Sequence, residues 1–166
     1  PQIRYCAGVQ PVEASMATRI VTDPTSEQME LAYALRIRVF VDEQDVPLEE
    51  EFDGLDEQAS HVIVFDDQDR AVGTGRMMIR DQVAKMQRIT VDATCRGQGV
   101  GRQVMEGLES LARDAGARIA RLDAQTRVIG FYESLGYFAY GDLHLDANIL
   151  HRWMDKALIE DEPVKR

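Results

Sequence analysis

Gln87-Arg88-Ile89-Thr90-Val91 followed by Asp92-Ala93-Thr94-Cys95 and then Arg96-Gly97-Gln98-Gly99-Val100-Gly101 joins an apolar, strand-like run to a glycine-rich loop. Beyond it, Val100, Val104, Met105, Leu108, Leu111, Ala112 and Ala115 recur at helical spacing, and Gly116 is placed to end that helix. The order is strand, glycine loop, helix. Glycines let backbone N–H groups approach a ligand without Cβ interference, and the helix adds its free N–H donors and the positive end of its dipole. With Arg96 and Arg102 beside it, the loop reads as a pyrophosphate cradle. A Walker loop would need Gly-Lys-Ser/Thr, and no lysine lies between Lys85 and Lys156. The dinucleotide fingerprint G-x-G-x-x-G/A fails because Gly99-x-Gly101 runs on to Val104, although Asp123 stands where a ribose-binding acid would.

Working outward, Arg19–Val21 predicts a first strand, and Thr25 with Gln28 a capping box opening a helix that runs to about Val41. The acidic stretch around Pro47 predicts a loop or broken helix. His61–Phe65, Ala71–Ile79 and Val83–Val91 are strand-like runs parted by short polar turns, which demand antiparallel pairing. After the long helix come a strand at Ile119–Leu122, a short helix at Val128–Leu135, and strands at Tyr137–Tyr140 and Ile149–Lys156. This order predicts an α/β fold: a mixed, mostly antiparallel sheet whose one parallel crossover carries the long helix. A nucleotide fold of two parallel halves is unsupported, because an antiparallel meander precedes the loop and little chain remains after it. One domain over 18–158 is expected, with a tail at 159–166. Residues 1–17 are expected to be a leader or a segment foreign to the natural chain, since Met16-Ala17 resembles a natural start.

At 166 residues, 45% hydrophobic and 29% charged, the chain can bury a core without metal or disulfide staples. Cys6 and Cys95 make neither a disulfide framework nor a metal-binding spacing, so a reducing cytoplasm and no metal are expected. The absence of a long apolar run argues against a membrane span. A net charge of −10 disfavours nucleic acid as a partner. The charge is unevenly spread: residues 42–69 hold 12 acids and no Lys or Arg, while residues 70–127 hold 11 bases against 6 acids. That pattern suits one cationic and one anionic partner, or equally two solvated faces.

The two halves of the 87–101 stretch resemble the acetyl-CoA motif of the GNAT superfamily of acyl-CoA-dependent N-acetyltransferases. Phe131-Tyr132-Glu133-Ser134-Leu135-Gly136-Tyr137 resembles that family's second motif, at the right separation. Gln125 stands where many members have Asn, and Val128 where they have Ala. Gln125, together with Val39-Phe40-Val41-x-Glu43-Gln44-x-x-Pro47 and His151, is similar to the ElaA/YjcF-type subgroup. The resemblance implies the GNAT fold, with helices on both faces of the sheet and a splayed central strand pair. It also implies acetyl-CoA as co-substrate and direct attack by a primary amine in a ternary complex.

An amine attacking a thioester develops negative charge on the carbonyl oxygen and then expels a thiolate. Backbone amides of Ile89, Thr90 or Val91 are candidates to hold that oxygen. Arg96, Gly97, Gln98, Gly99, Val100, Gly101 and Arg102 form the cofactor loop, with Gln125 carried over from the resemblance. Tyr132 is the candidate acid for the thiolate. Proton acceptors can be nominated among His144, His151, Glu51 and Asp123, of which Glu51 and His151 are also candidate substrate contacts. Cys95 lacks a positioned base and reads as incidental. The acceptor is expected to be a cationic small molecule or a peptide amine, drawn by the acidic segment. A homodimer is left open. The competing readings are a non-catalytic acyl-CoA-binding regulatory module and a nicotinamide oxidoreductase.

Overall fold

The computed structural model describes residues 16–159; expectations for residues 1–15 and 160–166 lie outside it. Seven strands form one sheet in the order β1-β2-β3-β4-β5-β7-β6: β1 (Thr18–Val21), β2 (Ser60–Asp66), β3 (Ala71–Arg80), β4 (Val83–Val91), β5 (Ile119–Gln125), β6 (Phe138–Asp146) and β7 (Ile149–Ala157). Only β4 and β5 pair in parallel. Their crossover is α3 (Val100–Asp114), and α1 (Ser26–Arg36), α2 (Leu48–Glu51) and α4 (Ile129–Ser134) complete the set. Among the described residues no helix is long and apolar enough to cross a membrane.

Alternation along β2 divides the interior in two. Val62 and Val64 face the large cluster built on Val104, Met105 and Leu108 of α3, while Ile63 and Phe65 face a smaller one with Ala32 of α1. Helices therefore cover both faces of the sheet. Contact with α3 is close because β3 presents glycines there. A Cβ on Gly73 would come within 2.5 Å of Val100 Cγ1 and 2.9 Å of Val104 Cγ2, and one on Gly75 within 2.9 Å of Leu108 Cδ1. Gly73→Ala is expected to cost about 1–3 kcal/mol through forced repacking. Urea denaturation measures it, and a loss below about 0.5 kcal/mol would show that α3 yields freely.

The capping box is present: the Thr25 hydroxyl accepts from the Gln28 amide, and the Gln28 side chain accepts from the Thr25 amide. The helix it opens departs from the sequence expectation. Beyond Arg36 it widens into a π-helical turn over Ile37–Asp42, where the Glu43 amide bonds to the Arg38 carbonyl. Hydrophobic spacing alone does not separate the two geometries. The Pro47 stretch resolves into α2, with Pro47 at its N-cap. Two strands run longer than expected, β5 to Gln125 and β6 to Asp146. The β5 extension, Asp123–Gln125, is mostly polar, whereas that of β6 alternates Leu143 and Leu145 with polar residues; both are held extended by pairing with β7. Two-residue turns at Asp81-Gln82 and Ala147-Asn148, all at positive φ, close the β3–β4 and β6–β7 hairpins.

Candidate active site

Parallel pairing of β4 with β5 covers only Val83↔Ile119 through Met86↔Leu122. Past that point β4 stays with β3 and β5 with β7, so the two strands part and leave a wedge between Gln87–Val91 and Asp123–Gln125. A bulge turns β4 at the same place. Arg88 and Ile89 together oppose Gly75, and Arg88 sits at φ 57°. Its side chain holds the strain: Nη2 donates to the Glu50 carbonyl at 2.9 Å, and Nε lies 3.0 Å from Glu51 Oε2.

The wedge opens into a cavity of about 720 Å³ lined from both faces of the sheet. Ala84, Met86, Ala120, Leu122, Ala124 and Met154 all point into the α3 core. Their alternates Lys85, Gln87, Asp123, Gln125, His151 and Trp153 therefore lie on the opposite face.

On the α3 side, the loop has the form expected of an anion cradle. Gly99 is the N-cap at φ 84°, and no side chain caps the helix. Gly97, Gly99, Gly101, Arg96 and Arg102 all line the cavity. A Cβ on Gly97 or Gly99 would meet nothing within 4 Å, so these glycines serve their positive φ and leave open space beside the backbone. Gly101 serves a different end, because its Cβ would lie 3.1 Å from Phe131 Cζ, where the first turn of α3 meets α4. Arg96 is partly engaged, with Nη2 2.8 Å from Glu43 Oε2. The side chains of Val100, buried in the core, and Gln98, bonded to the Thr94 carbonyl at 3.1 Å, do not line the cavity.

The Asp92 amide bonds to the Val72 carbonyl of the β3 side. By strand alternation the Thr90 amide points the same way, which leaves that of Val91 turned away from β3; the bulge at Arg88 and Ile89 interrupts the alternation before it reaches Ile89. Tyr132, on α4, lines the same cavity. Its ring meets Phe131 edge-on at 5.0 Å and Tyr137 at 6.0 Å. Burial pushes its hydroxyl well above the ordinary tyrosine value, so it stays protonated at neutral pH.

The remaining candidates separate by environment. The Glu51 side chain lines the cavity but is 2% exposed and bound to both Arg36 and Arg88; burial raises its pKa against the pull of those arginines. Asp53 and Asp56 are bound likewise by Arg76, and Asp56 by Arg36 as well. Glu51 and Asp56 are thus turned inward onto arginines, while most other acids of the segment, Asp42, Glu43, Asp45, Glu49 and Glu50 among them, stay exposed. Gln125 accepts from Arg127 Nε at 2.8 Å and donates to Gln44 Oε1 at 2.7 Å, tying β5 to the turn after the π-helix. His151 is 8% exposed, with Nδ1 2.8 Å from the Ile149 carbonyl. His144 lies 2.8 Å from Asp123 Oδ2, and that contact raises its pKa. Cys95 is buried. Gln87, Gln44 and Phe131 stand inside the quoted sequence motifs, but nothing in the sequence gives any of them a place in the cavity wall, where all three lie.

Residues 20–158 match the family model described as an acetyltransferase (GNAT) domain. The chain is 40% identical over 139 residues to an uncharacterized N-acetyltransferase, YjcF, of Bacillus subtilis, covering 83% of this chain and 99% of that one. An acyl-CoA N-acyltransferase structure from Pseudomonas aeruginosa superposes with a TM-score of 0.73 at 26% identity, covering 86% of this chain and all of that one. Escherichia coli ElaA shares the fold, with a TM-score of 0.72 at 24% identity over 85% of this chain and 99% of its own.

Proposed function

Because the chain belongs to the GNAT acetyltransferase family, we propose that it transfers an acetyl group from acetyl-CoA to a primary amine by direct attack in a ternary complex. The observation that carries this reading is the uncapped, glycine-lined start of α3 opening onto the same cavity as Tyr132 and the parted strands. The loop suits a pyrophosphate: the helix dipole and free amides favour anions, and the open space beside Gly97 and Gly99 lets the backbone approach one. Acetyl-CoA supplies the activated acyl group. The chain's own groups do the rest. Arg96 and Arg102 add positive charge at the phosphate end. The amide of Val91 holds the acetyl oxygen as charge develops on it. Tyr132 gives its hydroxyl proton to the departing sulfur and regains one from the newly acylated nitrogen, directly or through water.

The test is binding followed by turnover. Acetyl-CoA at 100 times its Kd should stabilise the protein by about 2.7 kcal/mol, raising Tm by roughly 5–11 °C for a chain of this size. Gly99→Asp should abolish that rise while the protein still folds, because it sets a side chain and a negative charge inside the cradle. An unchanged thermal shift in that variant would place the CoA site elsewhere. Thiol release with an amine panel then separates an enzyme from a silent acyl-CoA-binding module.

A further inference from the structure

Glu109 is a carboxylate buried in the middle of α3, 5% exposed, and its partners come from other parts of the chain. The Tyr137 hydroxyl donates to Oε1 at 3.0 Å, and Lys156 Nζ of β7 reaches Oε1 at 3.0 Å and Oε2 at 2.7 Å. The half-exposed Arg113 adds a contact of 3.3 Å to Oε2. A buried carboxylate is costly unless its oxygens are filled, and both are. Nothing in the chemistry of acetyl transfer uses this group directly.

Tyr137 is also the immediate neighbour of Tyr132. Gly136, at φ 91°, turns the chain back after α4, so that the Tyr137 amide bonds to the Tyr132 carbonyl at 3.1 Å and the two rings meet edge-on at 6.0 Å. On the other side of Tyr132, the Phe131 ring lies against the first turn of α3 at Gly101. The chain around α4 is thereby fastened to α3 at two points, Gly101 and Glu109, with Tyr132 between the two anchoring residues. At six residues α4 has little stability of its own. Among the described residues no hydrogen bond holds the Tyr132 hydroxyl, so packed neighbours place its ring.

We propose that Glu109, Tyr137 and Lys156 are positioning residues for the reaction, whose hydrogen bonds set the Tyr132 hydroxyl at a fixed reach from the glycine loop. This rests on the acetyl-transfer reading, in which Tyr132 is the acid. Gly99 and Glu109 stand ten residues apart on one helix, about 15 Å along its axis. The element that receives the pyrophosphate in that reading also fixes the group that meets the sulfur, and one acetyl-CoA molecule must satisfy both at once. A misplacement of about 1 Å can cost on the order of 10²-fold in rate. Ring packing alone would be met by Phe at 137. The hydroxyl adds a directional bond, and burial with Glu109 beside it keeps that phenol far above its ordinary pKa, so it remains a donor.

The test is a double-mutant cycle in kcat, read as thiol release at saturating acetyl-CoA with propylamine or, failing that, water as acceptor. Tyr137→Phe removes one hydroxyl, keeps the ring and leaves Glu109 with Lys156, so the protein should fold with Tm only slightly lowered. Its kcat should fall about tenfold, with the KM of acetyl-CoA and the Kd of CoA within about twofold of the parent. In a Tyr132→Phe background the same change should alter kcat less than about twofold, because the group being positioned is already gone. Glu109→Met should match Tyr137→Phe, whereas Glu109→Gln keeps an acceptor for the hydroxyl and should stay within about threefold of the parent. A second readout needs no turnover. With ¹³Cζ-labelled tyrosine, the Tyr132 signal, identified by its loss in Tyr132→Phe, should shift or broaden in Glu109→Met and hold its place in Glu109→Gln. Where Tyr132→Phe is slow, a loss below about threefold in Tyr137→Phe, or an equal loss in both backgrounds, would overturn the positioning role. Where Tyr132→Phe turns over normally, the acid role fails by itself and the ¹³C signal decides the positioning: a moved signal upholds it and an unmoved one overturns it.

Discussion

Tyr132→Phe is expected to lower turnover by about 10²–10⁴-fold while leaving acetyl-CoA binding intact, the range for losing a positioned general acid. Only the hydroxyl is removed. The ring keeps its edge-on contacts with Phe131 and Tyr137, and the glycine loop is untouched. Burial raises the phenol's pKa, so the hydroxyl holds its proton across the working range and can donate it. The lost interaction is made chiefly as the thiolate departs, so the decrease should appear in kcat, with little change in KM for acetyl-CoA. A CoA thiolate is a tolerable leaving group, which favours the lower end of the range. The measurement is thiol release under saturating acetyl-CoA with a working amine. Turnover within about threefold of the parent would make Tyr132 a packing residue and water the proton donor.

Glu51→Ala carries the largest expected loss of stability, about 3–5 kcal/mol, because it removes one partner from a buried ion cluster. Arg36 and Glu51 are each 2% exposed, and Arg36 would keep only Asp56 as a carboxylate partner. That surviving bond, together with the Arg88 contacts to the Glu50 and Glu51 carbonyls, points to the lower end. At about 2–4 °C per kcal/mol for a chain of this size, Tm should fall by at least roughly 6 °C. Urea denaturation should give the same ordering, and a loss below 1 kcal/mol would mean that water reaches Arg36 freely. Glu51→Gln keeps the shape and an acceptor oxygen, and should lose less. The effect extends to function, since Glu51 helps hold the Arg88 clamp that stabilises the β4 bulge beside the wedge.

Some of this architecture is legible in the chain because its causes are local. Thr25 and Gln28 are three residues apart, and their reciprocal bonds form wherever a helix starts. The glycines at 97, 99 and 116 stand where φ is positive, so residue type alone marks the cradle and the end of α3. Apolar alternation in β2 through β4 and the helical period of α3 each survive without a partner, and they suffice for an α/β sheet with one crossover. Two separated motifs then identify the family.

What the chain does not disclose depends on which strands lie side by side. The wedge exists because β4 follows β3 and β5 follows β7 past the last shared pair, and neither strand's sequence records where its neighbour turns away. The sequence nominates Glu51 as a proton acceptor or substrate contact, and only the folded chain shows it buried against Arg36 and Arg88. Gln44 meets Gln125 across 81 positions of chain, and Asp123 meets His144 across 21. Hydrophobic period reports which face of an element is buried and is silent about which polar groups of distant elements meet on the other face. The glycine loop at the start of α3 was therefore decided by residue type in one short stretch. The wedge wall, where Gln87 and Asp123 stand beyond the last shared pair, was decided by the packing of strands that the sequence leaves unordered.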